Sequence, residues 1–351
     1  MQLDECDYEL PAHLIAQHPL KVRDRARLLV LDRRQMTMTH LQVRDLVTIL
    51  TPQDVLVINN TKVFPARLLG RRLDSSGRVE ILLVRPERPR CWQALVKPSQ
   101  RLAVGAEVSF EGTDWTAVIG GLDATGTRQV EFRGRGSFRS WLAHFGRVPL
   151  PPYIKRPYEH DATPPTTLND RRRYQTVYAK HRGSVAAPTA GLHLTRPLLA
   201  RLQEQGVEVH VVTLHVGPGT FRPLRGASVE AHRMDAERYW IVPATAAALE
   251  VAKAAGKHFI AVGTTTTRAL ESAADPNGRL RHLEGDTTLF MYPGYRFKIV
   301  DGLLTNFHLP RSTPLLLLMA LAGREPIFAA YREAVAQQYR FYSYGDAMLI
   351  L

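Results

Sequence analysis

The residues of this chain best suited to chemistry lie in two junctions of small and hydroxyl-bearing side chains. The first, residues 183–195, has no charged residue apart from His193. The second reads Gly263-Thr264-Thr265-Thr266-Thr267-Arg268 and follows the apolar run His258-Phe259-Ile260-Ala261-Val262. Small residues let backbone amides approach a ligand closely, and a loop that opens a helix presents free amides to an anion. We therefore expect both junctions to contribute to a binding site.

Each junction also has a plainer interpretation, and the residues alone do not exclude it. The first fits a tight structural loop equally well, and threonine-rich turns often serve only as helix caps. The second lacks the G-x-x-x-x-G-K-[ST] spacing of a P-loop. No G-x-G-x-x-G follows a strand, so a dinucleotide site is not predicted.

Three histidines and one carboxylate are candidates for acid–base chemistry. His193, His215 and His308 each stand at the end of a strand-like run or beside a loop of small residues. Asp346 lies in an aromatic and apolar segment, where loss of water would raise the pKa of a carboxyl group. A lone histidine is more often a satisfied structural residue than a catalyst, and Asp346 could simply cap a turn.

The elements that must position these residues alternate between strand and helix in the second half of the chain. Thr195 can cap a helix with Pro197 in its first turn, and Ser312 with Pro314 repeats this signal. Runs at 207–216 and 258–262 have the composition of buried strands. Earlier strands are predicted at 27–31 and 54–60, with a helix over 43–50 between them.

Residues 61–149 have a different texture and predict an inserted all-β domain, a small barrel. Short β-rich runs separated by turn signals recur from residue 66 to about 132, with no long helical period before residue 138. The core domain is then discontinuous, comprising residues 1–60 and 150–351. The insert carries 15 Lys and Arg against 8 Asp and Glu, a net charge of +7 out of +13. A basic surface of this kind suits a polyanion such as RNA, although an arginine-rich proteome would produce the same excess.

A short basic and aromatic stretch follows the insert. Arg171, Arg173 and Tyr174 combine phosphate-binding and base-stacking side chains, which predicts an RNA contact; a solvated helix face is the alternative.

Composition excludes several classes of protein. Two isolated cysteines form neither a disulfide framework nor a metal-ligand pair, and no histidine spacing typical of a metal site is present, so no metal is expected. The longest apolar run, residues 315–322, is too short to span a membrane. The acidic start does not have the pattern of a signal peptide, and we expect a cytoplasmic protein.

Taken in order, the motifs of this chain resemble those of one family, the S-adenosylmethionine:tRNA ribosyltransferase-isomerases of queuosine biosynthesis. The similarity covers nearly the whole chain. The matching segments are Tyr8-Glu9-Leu10-Pro11, Asn59-Asn60-Thr61, Pro65-Ala66-Arg67, Leu150-Pro151-Pro152-Tyr153-Ile154, residues 174–179, 184–193, 212–217 and 219–223, Val262-Gly263-Thr264-Thr265 with Arg268, and residues 305–310 and 340–350.

The resemblance implies a mixed α/β fold with a β-barrel-containing core and an inserted β-domain. It further implies that S-adenosylmethionine is the ribosyl-donating substrate. The acceptor would be 7-aminomethyl-7-deazaguanine at the tRNA wobble position, and the products epoxyqueuosine-tRNA, adenine and methionine. Within that chemistry we expect His193, His215 and Asp346 to be catalytic candidates, and the protein to be a monomer.

The same resemblance divides the binding roles between the two junctions. Gly263, Thr264, Thr265 and Arg268 would hold the methionine carboxylate. The loop Ala187-Pro188-Thr189-Ala190-Gly191 would admit the adenosyl group.

Departures from the family pattern and rival functions limit this interpretation. Arg172 stands where the family usually has an acidic residue, and Asp235 stands where the family often has a histidine. Neither residue therefore inherits a role from the family. A non-catalytic RNA-binding protein would explain the basic insert but not the two uncharged junctions. A conventional methyltransferase is disfavoured because no glycine-rich strand-loop-helix motif opens a nucleotide-binding half.

Overall fold

The computed structural model of the chain describes residues 1–100, 102–156, 168–221, 224 and 228–351. Its contacts divide the chain into two compact units. Unit 1 comprises Met1–Lys62, Pro151–Lys155 and Arg173–Leu351, and unit 2 comprises Val63–Leu150 and Arg156–Arg172. Arg222 and Pro223, part of one matching motif, lie outside the described residues. The domain boundaries expected after residues 60 and 149 stay a prediction.

The described residues form strands and helices with the following bounds. The strands are β1 Arg27–Asp32, β2 Thr37–Gln42, β3 Asp54–Asn59, β4 Thr61–Val63, β5 Arg67–Arg72, β6 Arg78–Arg88, β7 Cys91–Lys97, β8 Glu107–Ser109, β9 Thr116–Leu122, β10 Arg128–Arg133, β11 His181–Ser184, β12 Glu208–Leu214, β13 Glu237–Trp240, β14 His258–Val262, β15 Glu284–Thr287, β16 Gly302–Asn306 and β17 Ala347–Ile350. The helices are α1 Leu46–Ile49, α2 Phe138–Phe145, α3 Leu168–Arg173, α4 Arg196–Glu204, α5 Pro243–Ala254, α6 Thr264–Ala273, α7 Thr313–Ala322 and α8 Arg324–Ala336.

Unit 1 is built on a nine-stranded sheet with the order β15-β13-β12-β3-β14-β16-β17-β1-β2. The four neighbours β12, β3, β14 and β16 run parallel to one another. β17 runs antiparallel to β16, so that Asn306 pairs with Ala347. The carboxyl ends of the four parallel strands therefore meet the start of β17 at one edge of the sheet, the edge at which α/β proteins usually bind their ligands.

Both faces of this sheet are buried, as expected for parallel strands covered by helices. Along β3, Val55 and Val57 belong to one apolar cluster, whereas Leu56 and Ile58 belong to the other. Alternate side chains of β3 enter different cores, which explains why residues 55–58 are all apolar.

Unit 2 contains a closed antiparallel barrel with the strand order β10-β7-β6-β5-β8-β9. Its six strands, β5 to β10, span residues 67–133 and so correspond to the short β-rich runs predicted from residue 66 to about 132. The mixed α/β class with a small antiparallel barrel is thus confirmed. A barrel was also expected in the core; nine of the described strands of unit 1 form instead one sheet, with β15 and β2 at the two ends of its order, and β11 belongs to a separate two-stranded sheet.

Several local predictions are met, and one differs. The Thr195 hydroxyl accepts a hydrogen bond from the Leu198 amide at 3.3 Å, which caps α4 as expected. The helix predicted over residues 43–50 is instead a 3-10 turn, Val43–Asp45, followed by the single turn α1. Asp45 explains the difference, because its carboxylate accepts the Gln42 amide at 2.9 Å and fixes a tight turn at the start.

No single described helix has both the length and the apolar character needed to cross a membrane, although α7 and α8, bent by 117° at their junction, meet the test as a pair.

Candidate functional site

A cavity in unit 1 is lined by residues that follow the carboxyl ends of the parallel strands. Gly263 comes directly after β14, and Asn306 is the last residue of β16. The space measures about 650 Å³ and is partly open to solvent. Strand pairing places these residues side by side, because Val262 pairs with Leu304 and the Gly263 amide donates to the Leu304 carbonyl at 2.8 Å.

Most of the binding residues predicted from the sequence line this one cavity. They are Ala187, Pro188, Thr189, Ala190, Gly263, Thr264 and Thr265. Gly191 is the exception within its loop: it lies against Tyr178, and a side chain added there would overlap the Tyr178 hydroxyl. Glycine at 191 therefore allows close packing behind the cavity wall. The stretches 187–190 and 263–265, distant in sequence, line one cavity.

Two helix N-termini converge on the cavity. α6 begins at Thr264 after Gly263, whose φ of +88° favours glycine, and α7 begins at Thr313 after Ser312. Thr264, Thr265, Ser312 and Pro314 all line the space. The first amides of a helix have no intrahelical acceptor and carry a partial positive charge, so the cavity attracts anionic groups. None of the described residues that line it is Asp, Glu, Lys or Arg.

His193 lies behind the cavity wall rather than in it. Its Nε2 is 3.0 Å from Nδ2 of Asn306, which does line the cavity. Burial, with smaller contributions from Arg23 and Arg340, lowers the pKa of His193 to about 4. The ring is therefore neutral at pH 7, and its contact with the site runs through Asn306.

His215 follows β12 at the same edge of the sheet but is not among the cavity-lining residues. Its Nδ1 lies 2.7 Å from the Thr61 hydroxyl, and its ring meets Trp240 edge-on at 5.0 Å. Gly183 packs against the ring so closely that a β-carbon there would overlap it. Burial lowers the pKa of His215 to about 4, so this imidazole is also neutral at pH 7.

Asp346 holds the segment that precedes β17 in place. Its carboxylate accepts the Arg27 amide at 2.9 Å and the Arg340 amide at 2.8 Å, and the residue is 2% exposed. Burial raises its pKa, as expected from the sequence. Both oxygens are used by backbone amides, and this fixes the turn that brings Tyr342 and Ser343 to the cavity wall.

Arg268 lies outside the cavity lining, in a buried ion pair with Glu237. Its guanidinium also donates to the carbonyls of Leu289 at 3.1 Å and Thr287 at 3.2 Å. Arg268 does line an adjoining cavity together with Thr264, Thr265 and Pro314, which also line the first. Glu237 offsets its charge, and its role toward a ligand carboxylate stays a prediction.

The three residues expected to contact RNA have structural partners in unit 1 or unit 2. In unit 2, Arg171 donates to the carbonyls of Ala143 at 3.0 Å and Gly146 at 2.6 Å, at the end of α2. In unit 1, Arg173 donates to the carbonyl of Lys21 at 3.0 Å. Tyr174 is 0% exposed, so its ring cannot stack on a base in this conformation. An RNA contact by Arg171 and Arg173 stays a prediction, whereas the burial of Tyr174 could not be seen from the basic and aromatic pattern.

Sequence reasoning missed several lining residues. They are Tyr153, Thr305, Asn306, Ser312, Tyr342 and Ser343, and His308, which was considered but not chosen. The Tyr153 and Ser343 hydroxyls share a 2.7 Å hydrogen bond, and Nε2 of His308 lies 2.7 Å from the Thr305 hydroxyl. Burial lowers the pKa of His308 to about 3. Polar residues at and just after the end of a buried strand, here Thr305, Asn306 and His308, were the available signal.

Across the part of the chain that the structure describes, no group of three or more His, Cys, Asp or Glu side chains is placed to hold a metal ion.

Comparison with known proteins gives a consistent result over the full length. The family model described as "Queuosine biosynthesis protein" matches residues 3–350. S-adenosylmethionine:tRNA ribosyltransferase-isomerase from Gloeobacter violaceus is 52% identical over 99% of this chain and 95% of its own length. The protein of the same name from Pelotomaculum thermopropionicum is 50% identical, with 100% of both chains covered.

A solved structure agrees with these relatives. The crystal structure of S-adenosylmethionine tRNA ribosyltransferase from Thermotoga maritima is 36% identical in sequence and superposes with a TM-score of 0.55. The match covers 99% of this chain and 100% of that one. From the full-length family match and these identities, the chain belongs to the queuosine biosynthesis protein family.

Proposed function

We propose that this protein is an S-adenosylmethionine:tRNA ribosyltransferase-isomerase. It transfers the ribosyl moiety of S-adenosylmethionine to 7-aminomethyl-7-deazaguanine at the tRNA wobble position and isomerises it, giving epoxyqueuosine-tRNA, adenine and methionine. The observation that carries this proposal is the uncharged cavity at the carboxyl edge, in which the two sequence junctions meet. The names of its full-length relatives support the same activity.

The cavity offers a suitable environment for each part of the donor. The loop Ala187-Pro188-Thr189-Ala190 provides a wall of small side chains for the adenosyl group, and the start of α6 provides amides for the carboxylate. A buried guanidinium would attract the carboxylate but repel the sulfonium. The neutral lining therefore suits a substrate that carries both charges.

The reaction requires proton transfers that neutral histidines can perform. The sulfonium acidifies the C5′ hydrogens, and a base that removes one must be unprotonated at pH 7. Burial lowers the pKa of His193 and His215 to about 4, so both rings are neutral at pH 7, but neither lines the cavity. His308 is also neutral and does line the cavity, which makes it the histidine best placed to act as the base. Asp346 remains a weaker candidate, since two backbone amides occupy its carboxylate.

Single substitutions test the histidine-base proposal. His193→Gln, His215→Gln and His308→Gln are each assayed for turnover at saturating S-adenosylmethionine and tRNA. Loss of a general base lowers kcat by about 10²- to 10⁴-fold. Near-normal rates in all three variants would exclude a histidine base.

The tRNA partner follows from the reaction and from the basic character of residues 61–149, with 15 Lys and Arg against 8 Asp and Glu. Phosphate contacts make such binding fall steeply as salt rises. The protein is proposed to act as a monomer in the cytoplasm. Light scattering at working concentration tests the monomer, and the slope of tRNA affinity against salt tests the basic contact.

One assay separates the proposed activity from its rivals. The protein is incubated with precursor-bearing tRNA and S-adenosylmethionine labelled either in the ribosyl group or in the methyl group. We expect ribosyl label in the tRNA and one free adenine per turnover, with no methyl label transferred. Methyl transfer would identify a methyltransferase, and tRNA binding without adenine release would identify a non-catalytic RNA-binding protein. tRNA that lacks the precursor is the matched control.

A further inference from the structure

Asn306, the last residue of β16, uses the donor end of its side-chain amide but, within the described part of the chain, not the acceptor end. Its side-chain Nδ2 donates to the Tyr342 carbonyl at 3.1 Å and to Nε2 of His193 at 3.0 Å. A carbonyl oxygen can only accept, so the Tyr342 contact fixes which end of the amide is nitrogen. The residue is 2% exposed, and among the described residues its Oδ1 has no hydrogen-bond partner. Such an acceptor is costly to bury unless a ligand or a bound water supplies the donor.

The position of Asn306 indicates where that donor comes from. Asn306 lines the cavity together with Gly263, Thr264 and Thr265, and β16 pairs directly with β14, which leads into α6. An unsatisfied acceptor therefore stands beside a helix N-terminus rich in donors. An α-amino acid carries an ammonium and a carboxylate on one carbon atom. The ammonium matches the unsatisfied acceptor, and the carboxylate matches the helix N-terminus.

We propose that Oδ1 of Asn306 accepts a hydrogen bond from the α-ammonium of S-adenosylmethionine, while the first amides of α6 bind the α-carboxylate of the same group. This inference rests on the proposed function and assigns a binding residue to it. No acidic side chain is found among the described residues of the lining, so the ammonium must be recognised by a neutral acceptor.

His193 has a positioning role in this arrangement. Its Nε2 accepts one Nδ2 hydrogen of Asn306, and the Tyr342 carbonyl accepts the other. The two contacts together hold the amide plane, so that Oδ1 remains available to the ligand. His193 acts on the substrate through Asn306 and does not touch it.

Equilibrium binding of two ligands tests the assignment of Asn306. S-adenosylmethionine carries the amino acid group, whereas 5′-methylthioadenosine has the same nucleoside without it. Titration calorimetry gives the affinity of each for the wild type, Asn306→Ala and Asn306→Asp. Asn277→Ala, in an exposed turn, is the matched control.

We expect Asn306→Ala to weaken S-adenosylmethionine binding by about 10- to 100-fold, the usual effect of a hydrogen bond to a charged group, and to leave 5′-methylthioadenosine unchanged. Unchanged binding of the second ligand also shows that the site is folded. Asn306→Asp keeps an oxygen at this position but loses the Nδ2 hydrogen bonds to the Tyr342 carbonyl and to His193. Its affinity for both ligands should fall, but the ratio in favour of S-adenosylmethionine should persist, since a carboxylate attracts an ammonium group.

Three outcomes would overturn the inference. Equal weakening of both ligands by Asn306→Ala would assign Asn306 to the nucleoside instead. Loss of the preference in Asn306→Asp would mean that Oδ1 faces the ligand's carboxylate. A wild type that binds S-adenosylmethionine no better than 5′-methylthioadenosine would exclude recognition of the amino acid group. By contrast, a wild type that binds neither ligand would contradict the proposed function itself.

The positioning role of His193 is tested with the same two ligands. His193→Leu removes the acceptor and should weaken S-adenosylmethionine at least about threefold more than 5′-methylthioadenosine, as expected for one neutral hydrogen bond. His193→Gln can place its Oε1 near the lost Nε2 and should restore part of the difference. A purely structural role would weaken both ligands alike and would overturn the proposal.

Discussion

In unit 1, one cavity lies at the carboxyl ends of the parallel strands (the carboxyl edge) and another at their amino ends (the amino edge). The two cavities differ in how their polar groups are satisfied. The cavity at the carboxyl edge, about 650 Å³, has no Asp, Glu, Lys or Arg among its described lining residues. The cavity at the amino edge, about 700 Å³, is lined by several charged or titratable residues. They are Asp32, Arg33, Arg34, Asp54, His258 and Asp301.

The charged groups of the amino edge are largely satisfied by the protein itself. Asp54 accepts the amide and the hydroxyl of Thr51 at 2.7 and 2.9 Å, and Asp301 accepts the Phe259 amide at 2.9 Å. Arg33 donates to the carbonyls of Leu321 and Asp301, both at 2.8 Å. At the carboxyl edge, the helix starts and Asn306 have hydrogen-bonding capacity left over. The unused hydrogen-bonding capacity, and not the number of charges, distinguishes the edge at which we propose binding.

The largest effect on stability is expected for the buried ion pair between Arg268 and Glu237. These two charges are satisfied within the protein, as the charges at the amino edge are. Glu237→Gln leaves the buried guanidinium of Arg268 without a counter-charge and should lower the free energy of unfolding by about 3–5 kcal/mol. Glu284→Gln, which breaks an exposed pair with Arg238, should change it by less than about 1 kcal/mol. Urea denaturation measures both. A small loss in Glu237→Gln would remove the structural role assigned to this pair.

The buried histidine behind the cavity predicts a pH dependence of stability. His193 has a pKa of about 4 in the folded protein and an ordinary value of 6.5 when unfolded. Between these values the unfolded chain binds more protons, so stability falls as pH decreases from about 6.5 to 4 and is fully present above 6.5. This residue alone contributes on the order of 3 kcal/mol across that window.

His193→Gln should therefore make the stability profile between pH 4 and 7 less steep, with the contributions of His215 and His308 remaining, as measured by urea denaturation at several pH values. His282→Gln is the control, because this histidine is exposed. A variant profile as steep as that of the wild type would contradict burial as the cause.

Filling the two cavities compares the edges directly. Ala190→Phe places a ring in the carboxyl-edge cavity and should lower kcat/KM about 100-fold by displacing the donor. Ile49→Phe does the same at the amino edge and should leave kcat/KM within about twofold of the wild type, with no substrate there to displace. Equal losses in both variants, with unchanged folding by circular dichroism, would end the distinction between the edges.

The smallest effect concerns one hydroxyl group. Thr264→Val removes a donor at the start of α6 and keeps the shape of the side chain. A neutral hydrogen bond of ordinary strength predicts a KM for S-adenosylmethionine about three- to tenfold higher, with kcat little changed. Thr39→Val, exposed on β2, is the control. A lower kcat at unchanged KM would instead place Thr264 in the chemical step.

Much of this architecture was predictable from the sequence because it depends on local signals. The six barrel strands follow from short β-rich runs between turns, and the α4 cap follows from Thr195 before a proline. The cavity wall formed by residues 187–190 and 263–265 was predictable because small residues and a helix start have a direct physical use.

Burial and the choice of partners could not be predicted from the sequence. The assignment of Arg268 to a ligand stays a prediction, and its ion pair with Glu237, 31 positions away in sequence, is indicated by no local pattern. Tyr174 resembled a stacking residue until its ring proved to be buried. Asn306 was missed because its importance rests on which of its hydrogen bonds are already made, and that depends on Tyr342 and His193.

The contact between Asp346 and the Arg27 amide has a consequence for the order of folding. It joins residues 319 positions apart, beside the pairing of β1 with β17. Closing so long a loop is entropically costly and is repaid only when the rest of the sheet is present. The turn that carries Tyr342 and Ser343 should thus be among the last parts to become ordered during refolding, and ligand-binding competence should appear after the bulk of secondary structure has formed.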